Sequence, residues 1–222
     1  MKKEIKKGAK ERASIQLENL IARYPILAPL KEKIWNSYKI LLSSIENGGK
    51  VLICGNGGSS ADSDHIVGEL MKSFCKERPI DTKLQDKLKA LDPKLGETLA
   101  TKLEDAIPAI YLTQHTALST AYSNDKEPAL GFAQQVMGYG EKPDIFMGIS
   151  TSGNSLNVVM ATITAKAKGL QTIALTGAKE SKLMELSDIC INVPETETYK
   201  IQELHLPVYH ALCLMLETSF WE

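Results

Sequence analysis

The spacing of apolar residues over the first fifty positions predicts two amphipathic helices. The first apolar set recurs near the 3.6-residue helical period and comprises Ile15, Leu17, Leu20, Ile21 and Tyr24. A break at Pro25 and Pro29 separates it from a second set, which comprises Ile34, Tyr38, Leu41 and Leu42. Asn47-Gly48-Gly49 then ends the pattern. We expect N-terminal helices over residues 1–49 that form a hairpin facing the core, reach toward partner subunits, or do both.

From residue 51 the pattern changes to short, nearly continuous apolar runs separated by helical stretches. The runs cover residues 51–54, 109–112, 144–149, 172–175 and 189–193. Continuous apolar strands that alternate with helices indicate a parallel sheet covered on both faces. The sequence therefore predicts an α/β fold: a doubly wound, flavodoxin-like, five-stranded parallel sheet with an N-terminal helical extension. Ligands of such sheets bind beyond the carboxyl ends of the strands.

The polar stretch over residues 76–105 interrupts this alternation. Its leucines recur at helical intervals around Asp92-Pro93, at Leu84, Leu88, Leu91, Leu95, Leu99 and Leu103. We expect a helical insertion of two short amphipathic helices, placed between the first helix of the sheet domain and the second strand. A solvated decoration and a lid or subunit contact both fit this pattern. The length of 222 residues fits one domain that spans the whole chain.

Composition excludes several classes of function. The chain has 43% hydrophobic residues and a formal net charge of -1, so no overall basic field favours direct contact with nucleic acid or a membrane surface. No apolar segment follows the lysine-rich N-terminus, and no run reaches the roughly 20 apolar residues of a membrane span. We therefore expect a cytoplasmic protein. Its four scattered cysteines predict small buried thiols in a reducing compartment: Cys54, Cys75, Cys190 and Cys213.

Two polar turns follow predicted strands and precede predicted helices. Residues 55–60 read GNGGSS, which is neither a Walker A nor a G-x-G-x-x-G motif. Its glycines, Gly57 and Gly58 among them, allow a ligand to approach the backbone, and Asn56 and Ser59 offer hydrogen bonds. A plain tight turn is the alternative interpretation.

The second polar turn covers residues 150–155 and reads STSGNS. Four hydroxyls stand here beside the first free N–H groups of a helix: those of Ser150, Thr151, Ser152 and Ser155. Such a cluster can bind an anion without a lysine. A serine-rich helix cap would need one hydroxyl only. We therefore expect a phosphate group to bind at this turn.

Two helices carry candidate chemistry. His65 and Glu69 are four residues apart, about 40° around a helix, and so share a face. Gln202 and His210 on the C-terminal helix are about 80° apart and also face one way. His205 lies on the other side of Gln202, so we expect it to form a structural hydrogen bond. Pro207 is expected to bend this helix. Surface hydrogen bonding is the alternative to a four-residue site.

Taken together, these segments resemble the SIS (sugar isomerase) domain family and, within it, the bacterial phosphoheptose isomerases. The resemblance runs from about residue 30 to the end of the chain, excluding residues 76–105. It is carried by Gly55-Asn56-Gly57-Gly58-Ser59, His65 with Glu69, Ser123-Asn124-Asp125, residues 148–155, Leu175-Thr176-Gly177, and residues 201–205 with His210. The turn at residues 150–155 is specific for SIS domains in general. The four residues of the two helices point to the isomerases.

The resemblance implies isomerisation of sedoheptulose 7-phosphate to a glycero-manno-heptose 7-phosphate. The catalytic positions of the family fall on Glu69, for proton transfer between C1 and C2, and on His210, as the partner acid and base. Zn²⁺, where present, would be held at the positions of His65, Glu69, Gln202 and His210. The phosphate would bind Ser150, Thr151, Ser152 and Ser155, and the sugar would contact Asn56, Gly57, Gly58, Ser59, Asn124, Asp125 and Gln202. The resemblance also implies a homotetramer with sites between subunits.

Two positions depart from the pattern of the family and leave the identity of the sugar open. Ser73 stands where the family often has an arginine, and Tyr199 where it often has an acidic residue. An isomerase of another sugar phosphate is therefore one alternative. The other is a non-catalytic SIS adaptor or sugar-phosphate sensor, such as the tetrameric factor that associates with the replication initiator. That factor does not retain the histidine at the position of His210, so Glu69 and His210 together favour the enzyme.

Overall fold

A computed structural model describes residues 2–113 and 115–221. One sheet of five parallel strands lies at its centre, in the order β2-β1-β3-β4-β5. The strands are β1 (Val51–Gly55), β2 (Ala109–Tyr111), β3 (Ile145–Ile149), β4 (Gln171–Thr176) and β5 (Ile189–Asn192). This arrangement confirms the predicted α/β fold, its strands and its flavodoxin-like order.

Helices connect and cover the strands. They are α1 (Ala9–Arg23), α2 (Lys31–Glu46), α3 (Gly58–Met71), α4 (Thr82–Leu91), α5 (Pro93–Lys102), α6 (Thr116–Asp125), α7 (Gly131–Tyr139), α8 (Leu156–Ala167), α9 (Lys182–Leu186) and α10 (Thr198–Phe220). Two 3₁₀ turns cover Pro25–Leu30 and Pro128–Leu130. Among the described residues, no helix is both long enough and apolar enough to cross a membrane.

Alternate residues of each strand supply two separate cores. Ile53 and Met147 point to one face, where they join a cluster formed with α1, α2, α3 and α10. Leu52 and Phe146 point to the other face and pack with α7 and α8. Because both faces are covered, almost every residue of the central strands β1, β3 and β4 is buried, which explains their continuous apolar runs.

The N-terminal helices pack on the core. Leu17 and Leu20 of α1 are buried in the same cluster as α10, and Ile34 and Leu41 of α2 join it. A hairpin facing the core is therefore observed. Ile15 belongs to the same apolar set in the sequence, yet 56% of it is exposed, so α1 also presents an apolar side chain outward.

The insertion forms the two predicted helices, α4 and α5, which pack on each other. Asp92 separates them and caps α5 by accepting hydrogen bonds from two backbone N–H groups. Gly96 allows the close approach, because a Cβ there would lie 2.0 Å from the carbonyl oxygen of Leu88. Several leucines of this hairpin remain exposed, above all Leu91, with 85% of its surface accessible.

Three of the four cysteines are buried as predicted, but the prediction is wrong for Cys75, which is exposed. Cys75 follows the end of α3 in a polar stretch rather than in a strand or a helix core. Pro207 lies inside α10, which continues as α-helix through it to Phe220, and the bend expected there stays a prediction.

Candidate active site

The two polar turns lie side by side at the carboxyl edge of the sheet. β1 and β3 are neighbours, with Gly55 opposite Ile149 at their carboxyl ends. The strand order reverses between these two strands, and such switch points are where doubly wound sheets bind ligands. Asn56 of the first turn and Asn157 beyond the second exchange two hydrogen bonds of 2.9 Å between their side-chain amides. We call residues 55–60 the glycine turn and residues 150–155 the serine turn.

Hydroxyl groups cluster in the serine turn. The Oγ of Ser150 lies 2.9 Å from that of Ser155 and 3.5 Å from that of Ser152. Gly153 adopts a φ of +65°, which lets the chain reverse toward α8. Ser155 precedes α8, yet its hydroxyl does not cap the helix. Hydroxyls and the positive end of the helix dipole are therefore available together, which is the arrangement that binds an anion.

A cavity of about 300 Å³ opens beside this turn. Thr151 and Ser152 line one side, and Lys179 and Glu195 are among the residues that line the rest. The hydroxyls here could contact a phosphorylated ligand.

On the other side of the glycine turn, α3 and α10 bring the two predicted proton-transfer residues together. His65 Nε2 lies 3.2 Å from Glu69 Oε1. The rings of His65 and His210 meet edge to face, with centroids 4.9 Å apart. One chain therefore assembles His65, Glu69 and His210, although α3 and α10 are far apart in sequence.

Two atoms of this group lack hydrogen-bond partners within the described part of the chain. Glu69 Oε2 and His210 Nε2 are both buried and unpaired. Such atoms are costly unless a ligand, an ion or water satisfies them. Burial lowers the pKa of His210, and the nearby His65 and Arg23 lower it further, while Glu69 opposes them. His210 is therefore held in its neutral form near pH 7.

Gln202 lies against the glycine turn. A Cβ on Gly58 would stand 2.1 Å from Gln202 Nε2, so a larger residue there would require this amide to move. Gln202 and His210 are separated by about 12 Å along the axis of α10. The first turns of α10 thus face the glycine turn, and its middle faces His65. His205 is buried between them and its Nε2 lies 3.3 Å from the carbonyl oxygen of Thr176, the structural position expected for it.

The donor set fits a zinc ion in chemistry, since imidazole, carboxylate and amide groups all bind this metal. The unpaired atoms of Glu69 and His210 also agree with a missing positive partner. Among residues 2–113 and 115–221, however, no three His, Cys, Asp or Glu side chains stand close enough to form a ready-made metal cluster. Binding would require these side chains to converge, above all Gln202, whose amide lies against Gly58.

His210 also lines a second cavity, of about 310 Å³, between α1 and α10. Arg23, Gln16 and Asn19 of α1 line it as well. The serine turn and His210 therefore open onto different cavities of one chain. The apolar pattern of α1 did not indicate that its polar residues line a cavity together with His210.

Three predicted sugar contacts remain, one in the glycine turn and two at the end of α6. Ser59 is buried at the start of α3. Asn124 and Asp125 end α6, where Asn124 Nδ2 donates a hydrogen bond of 2.8 Å to Asp125 Oδ1, and both are exposed. The structure shows these two residues in contact with each other, on a helix that packs mainly against the 3₁₀ turn Pro128–Leu130 and α7.

The two residues that depart from the pattern of the family are a hydrogen-bonded serine and an exposed tyrosine. The backbone N–H and the hydroxyl of Ser73 each donate a hydrogen bond of 2.8 Å to Glu104, at the end of the insertion. These two bonds lower the pKa of Glu104. Tyr199 stands on the first turn of α10 with 56% of it exposed.

Sequence reasoning missed three residues next to the site, of which Tyr209 and Arg78 are buried and Asp62 is half-buried. Tyr209 Oη lies 3.0 Å from His65 Nδ1 and donates to Asp62 Oδ1 at 3.3 Å. Arg78 donates to the carbonyl oxygens of Leu70 and Glu69, which end α3. The position of Asp62 could have been predicted from the sequence, since it precedes His65 by three residues and so shares its helical face. The positions of Tyr209 and Arg78 could not, because their contacts are distant in sequence.

The doubly wound sheet, with its serine turn at the switch point, is the architecture of a SIS-domain protein. Two overlapping stretches, residues 24–104 and 93–177, match the model of the SIS domain family. The chain belongs to this family and, within it, to the phosphoheptose isomerases, as the following relatives show.

The phosphoheptose isomerase of Nitratiruptor sp. is 36% identical over 197 residues, which cover 85% of this chain and 91% of that protein. That of Helicobacter pylori is 37% identical over 194 residues, 87% of this chain and 88% of that protein. Among solved structures, the phosphoheptose isomerase GmhA from Neisseria gonorrhoeae superposes with a TM-score of 0.70 at 30% identity, covering 94% of this chain and 98% of that one. A phosphoheptose isomerase from Francisella tularensis gives 0.69 at 31%, covering 94% and 95%.

Proposed function

We propose that this protein is an aldose–ketose isomerase that converts sedoheptulose 7-phosphate to D-glycero-D-manno-heptose 7-phosphate through an enediol. The observation that carries the proposal is the convergence of Glu69 and His210 beside His65 within one chain. The names of the relatives point to the same reaction. Glu69 and His210 are both present and both contact His65, which disfavours a non-catalytic adaptor.

In this reaction one proton moves between carbons and one between oxygens. Glu69 removes a proton from C1 of the ketose and returns it to C2. His210 gives a proton to the oxygen on C2 and accepts one from the oxygen on C1, which becomes the aldehyde oxygen. A neutral imidazole can do both, because one ring nitrogen donates while the other accepts. The lowered pKa of His210 favours that neutral form.

The serine turn would hold the phosphate of the sugar. Its hydroxyls lie within hydrogen-bond distance of one another and next to the start of α8. Asn56 and the backbone of Gly57 and Gly58 would contact the sugar chain, together with Ser59 and Gln202. Asn124 and Asp125 remain proposed contacts that would require α6 to approach the ligand.

A zinc ion held by His65, Glu69, Gln202 and His210 is part of the proposal. When bound, zinc would polarise the carbonyl group and stabilise negative charge on the enediol oxygens. The unpaired Glu69 Oε2 and His210 Nε2 support such a site.

We further propose a cytoplasmic homotetramer that contacts neither nucleic acid nor membrane. The near-neutral charge supports the absence of nucleic-acid contacts. The separate cavities of the serine turn and His210 support an active site completed between subunits, because phosphate and reacting carbons would then face residues of different copies.

Another sugar phosphate is the second candidate substrate. Ser73 is tied to Glu104 and Tyr199 is exposed, so neither supplies the contact that the usual residue of the family would supply. A change of sugar would leave the roles of Glu69 and His210 unaltered.

Turnover of purified variants on sedoheptulose 7-phosphate, with and without zinc, tests the proposal. We expect Glu69→Gln and His210→Gln to lose about 10²- to 10⁴-fold in kcat, since each removes a proton-transfer group. Calorimetry should show that both still bind the sugar phosphate. Glu203→Gln removes an exposed carboxylate from α10 and should keep wild-type turnover. A wild type that binds sugar phosphates but turns over no heptose would reject the proposed substrate.

A further inference from the structure

Four side chains form a continuous row from the interior of the protein to the proposed proton-transfer residue. Asp62 Oδ1 accepts from Tyr209 Oη at 3.3 Å, and Tyr209 Oη lies 3.0 Å from His65 Nδ1. On the other side of its ring, His65 Nε2 lies 3.2 Å from Glu69 Oε1. The row joins α3, which carries three of these residues, to α10, which carries Tyr209.

The hydroxyl of Tyr209 has one proton to share between two neighbours. Asp62 is half-buried, and its Oδ2 is a buried atom without a partner among the described residues, so a hydroxyl turned to His65 would leave its other oxygen unpaired as well. An unpaired buried carboxylate is the costlier outcome. Tyr209 therefore donates to Asp62, and its oxygen accepts a proton from His65 Nδ1.

This arrangement determines the chemistry of the outer nitrogen of His65. With Nδ1 protonated, the lone pair of Nε2 points toward Glu69 Oε1, and two acceptors face each other. Only a positive partner between them, a proton or a metal ion, makes that arrangement favourable.

We propose that Tyr209, oriented by Asp62, is a positioning residue that keeps a proton on His65 Nδ1 and so directs the Nε2 lone pair toward the cation position beside Glu69. The inference rests on the proposed function in that it takes this position to be the active site. Tyr209 does not itself reach the reacting atoms, since it is 1% exposed and lies behind the ring of His65.

The environment of Tyr209 agrees with a hydroxyl that stays protonated and donates to Asp62. Burial raises the pKa of its hydroxyl, and the nearby carboxylate of Asp62 raises it further. The phenol therefore keeps its proton to a higher pH than an exposed tyrosine does. Replacing the hydroxyl with hydrogen, as in Tyr209→Phe, would remove the acceptor without altering the packing of the ring.

Nitrogen NMR of metal-free protein labelled on its histidines tests the proton position directly, with His65 assigned by its loss in His65→Gln. In the wild type we expect His65 Nδ1 to carry a proton. In Tyr209→Phe the proton should move to Nε2, where Glu69 accepts it. A bare Nδ1 in the wild type, or an unchanged Nδ1–H in Tyr209→Phe, would overturn the proposal.

Zinc affinity, measured by competition with a chromogenic chelator, gives a second readout. Tyr209→Phe should weaken zinc binding by about 10- to 100-fold, the usual effect of removing a group that orients a ligand. Tyr38→Phe is the matched control, because it deletes another buried hydroxyl, which bonds to Ser219 at 2.8 Å and does not touch His65. Equal zinc affinity in the wild type and in Tyr209→Phe would contradict the inference.

The two readouts separate this inference from the proposed reaction. A protein without heptose turnover, but with the expected shift of the proton in Tyr209→Phe, would reject the substrate and keep the positioning role. An active wild type in which Tyr209→Phe leaves the His65 proton in place would keep the proposed reaction and reject the positioning role of Tyr209.

Discussion

His205 shows how a single buried side chain couples the fold to pH. It is completely buried on α10, and its Nδ1 has no hydrogen-bond partner within the described residues. Burial lowers its pKa to about 4, and the hydrogen bond to the carbonyl of Thr176 only partly opposes this. The histidine is therefore neutral in the folded protein at pH values where an exposed histidine would be charged.

The stability of the protein should consequently fall as the pH drops from about 6.5 to about 4. In this window the unfolded chain binds a proton at His205 and the folded chain does not, so acid favours unfolding. The full effect is on the order of 3 kcal/mol. His205→Gln cannot titrate and keeps an N–H for Thr176, so urea unfolding across this window should show a weaker pH dependence. A variant with the slope of the wild type would contradict this assignment.

At the scale of elements, one buried ion pair holds the end of α3 against α10. Arg78 and Glu217 are both fully buried, with Nη2 and Oε1 2.8 Å apart. Arg78 also donates to the carbonyl oxygens of Glu69 and Leu70, which α3 leaves unpaired at its end. Glu217 accepts from the backbone N–H groups of Phe74 and Cys75. The segment after α3 is thus tied to the helix that carries His210.

Breaking this pair should destabilise the protein strongly. Arg78→Met leaves the Glu217 carboxylate buried without its cation, a loss of about 3 to 5 kcal/mol. For a chain of this length that corresponds to a fall in Tm of roughly 10 °C. Lys182→Met breaks the exposed pair of Lys182 with Glu185 and should leave Tm unchanged. Calorimetry measures the Tm of the two variants. Equal Tm values would show that the buried pair of Arg78 and Glu217 does not stabilise the protein.

The same elements show what a sequence can and cannot predict. The strands were found because burial on both faces leaves an apolar run, and they were misplaced only at their ends, where Gly55 and Thr176 still pair with neighbouring strands. The serine turn was recognisable because its hydroxyls are contiguous. Arg78 and Glu217 were invisible because charged residues are usually exposed, and their pairing spans 139 positions. The proposed roles of the site residues and the single-domain organisation stay predictions.

At the scale of the whole molecule, the insertion stands apart from the sheet. α4 and α5 contact chiefly each other. The ends of the insertion are held together by the bridge between Pro79 and Glu104 and by the bond of 2.6 Å from Asp105 N to the carbonyl oxygen of Arg78. The hairpin therefore leaves and re-enters the fold at nearly one point, so it can be removed without separating the elements on either side.

We expect a variant in which a short Gly-Ser linker replaces residues 82–102 to fold with the same sheet and a Tm within a few degrees of the wild type. Turnover should persist, because His65, Glu69, His210 and the serine turn all lie outside the deletion. Circular dichroism, light scattering and kinetics would be compared with the wild type. A folded variant that forms a smaller assembly would identify the exposed leucines as a subunit contact, since large exposed apolar patches mark interfaces. A variant with the assembly of the wild type but no turnover would identify the hairpin as a lid over the site. A variant with both the assembly and the turnover of the wild type would identify it as a solvated decoration.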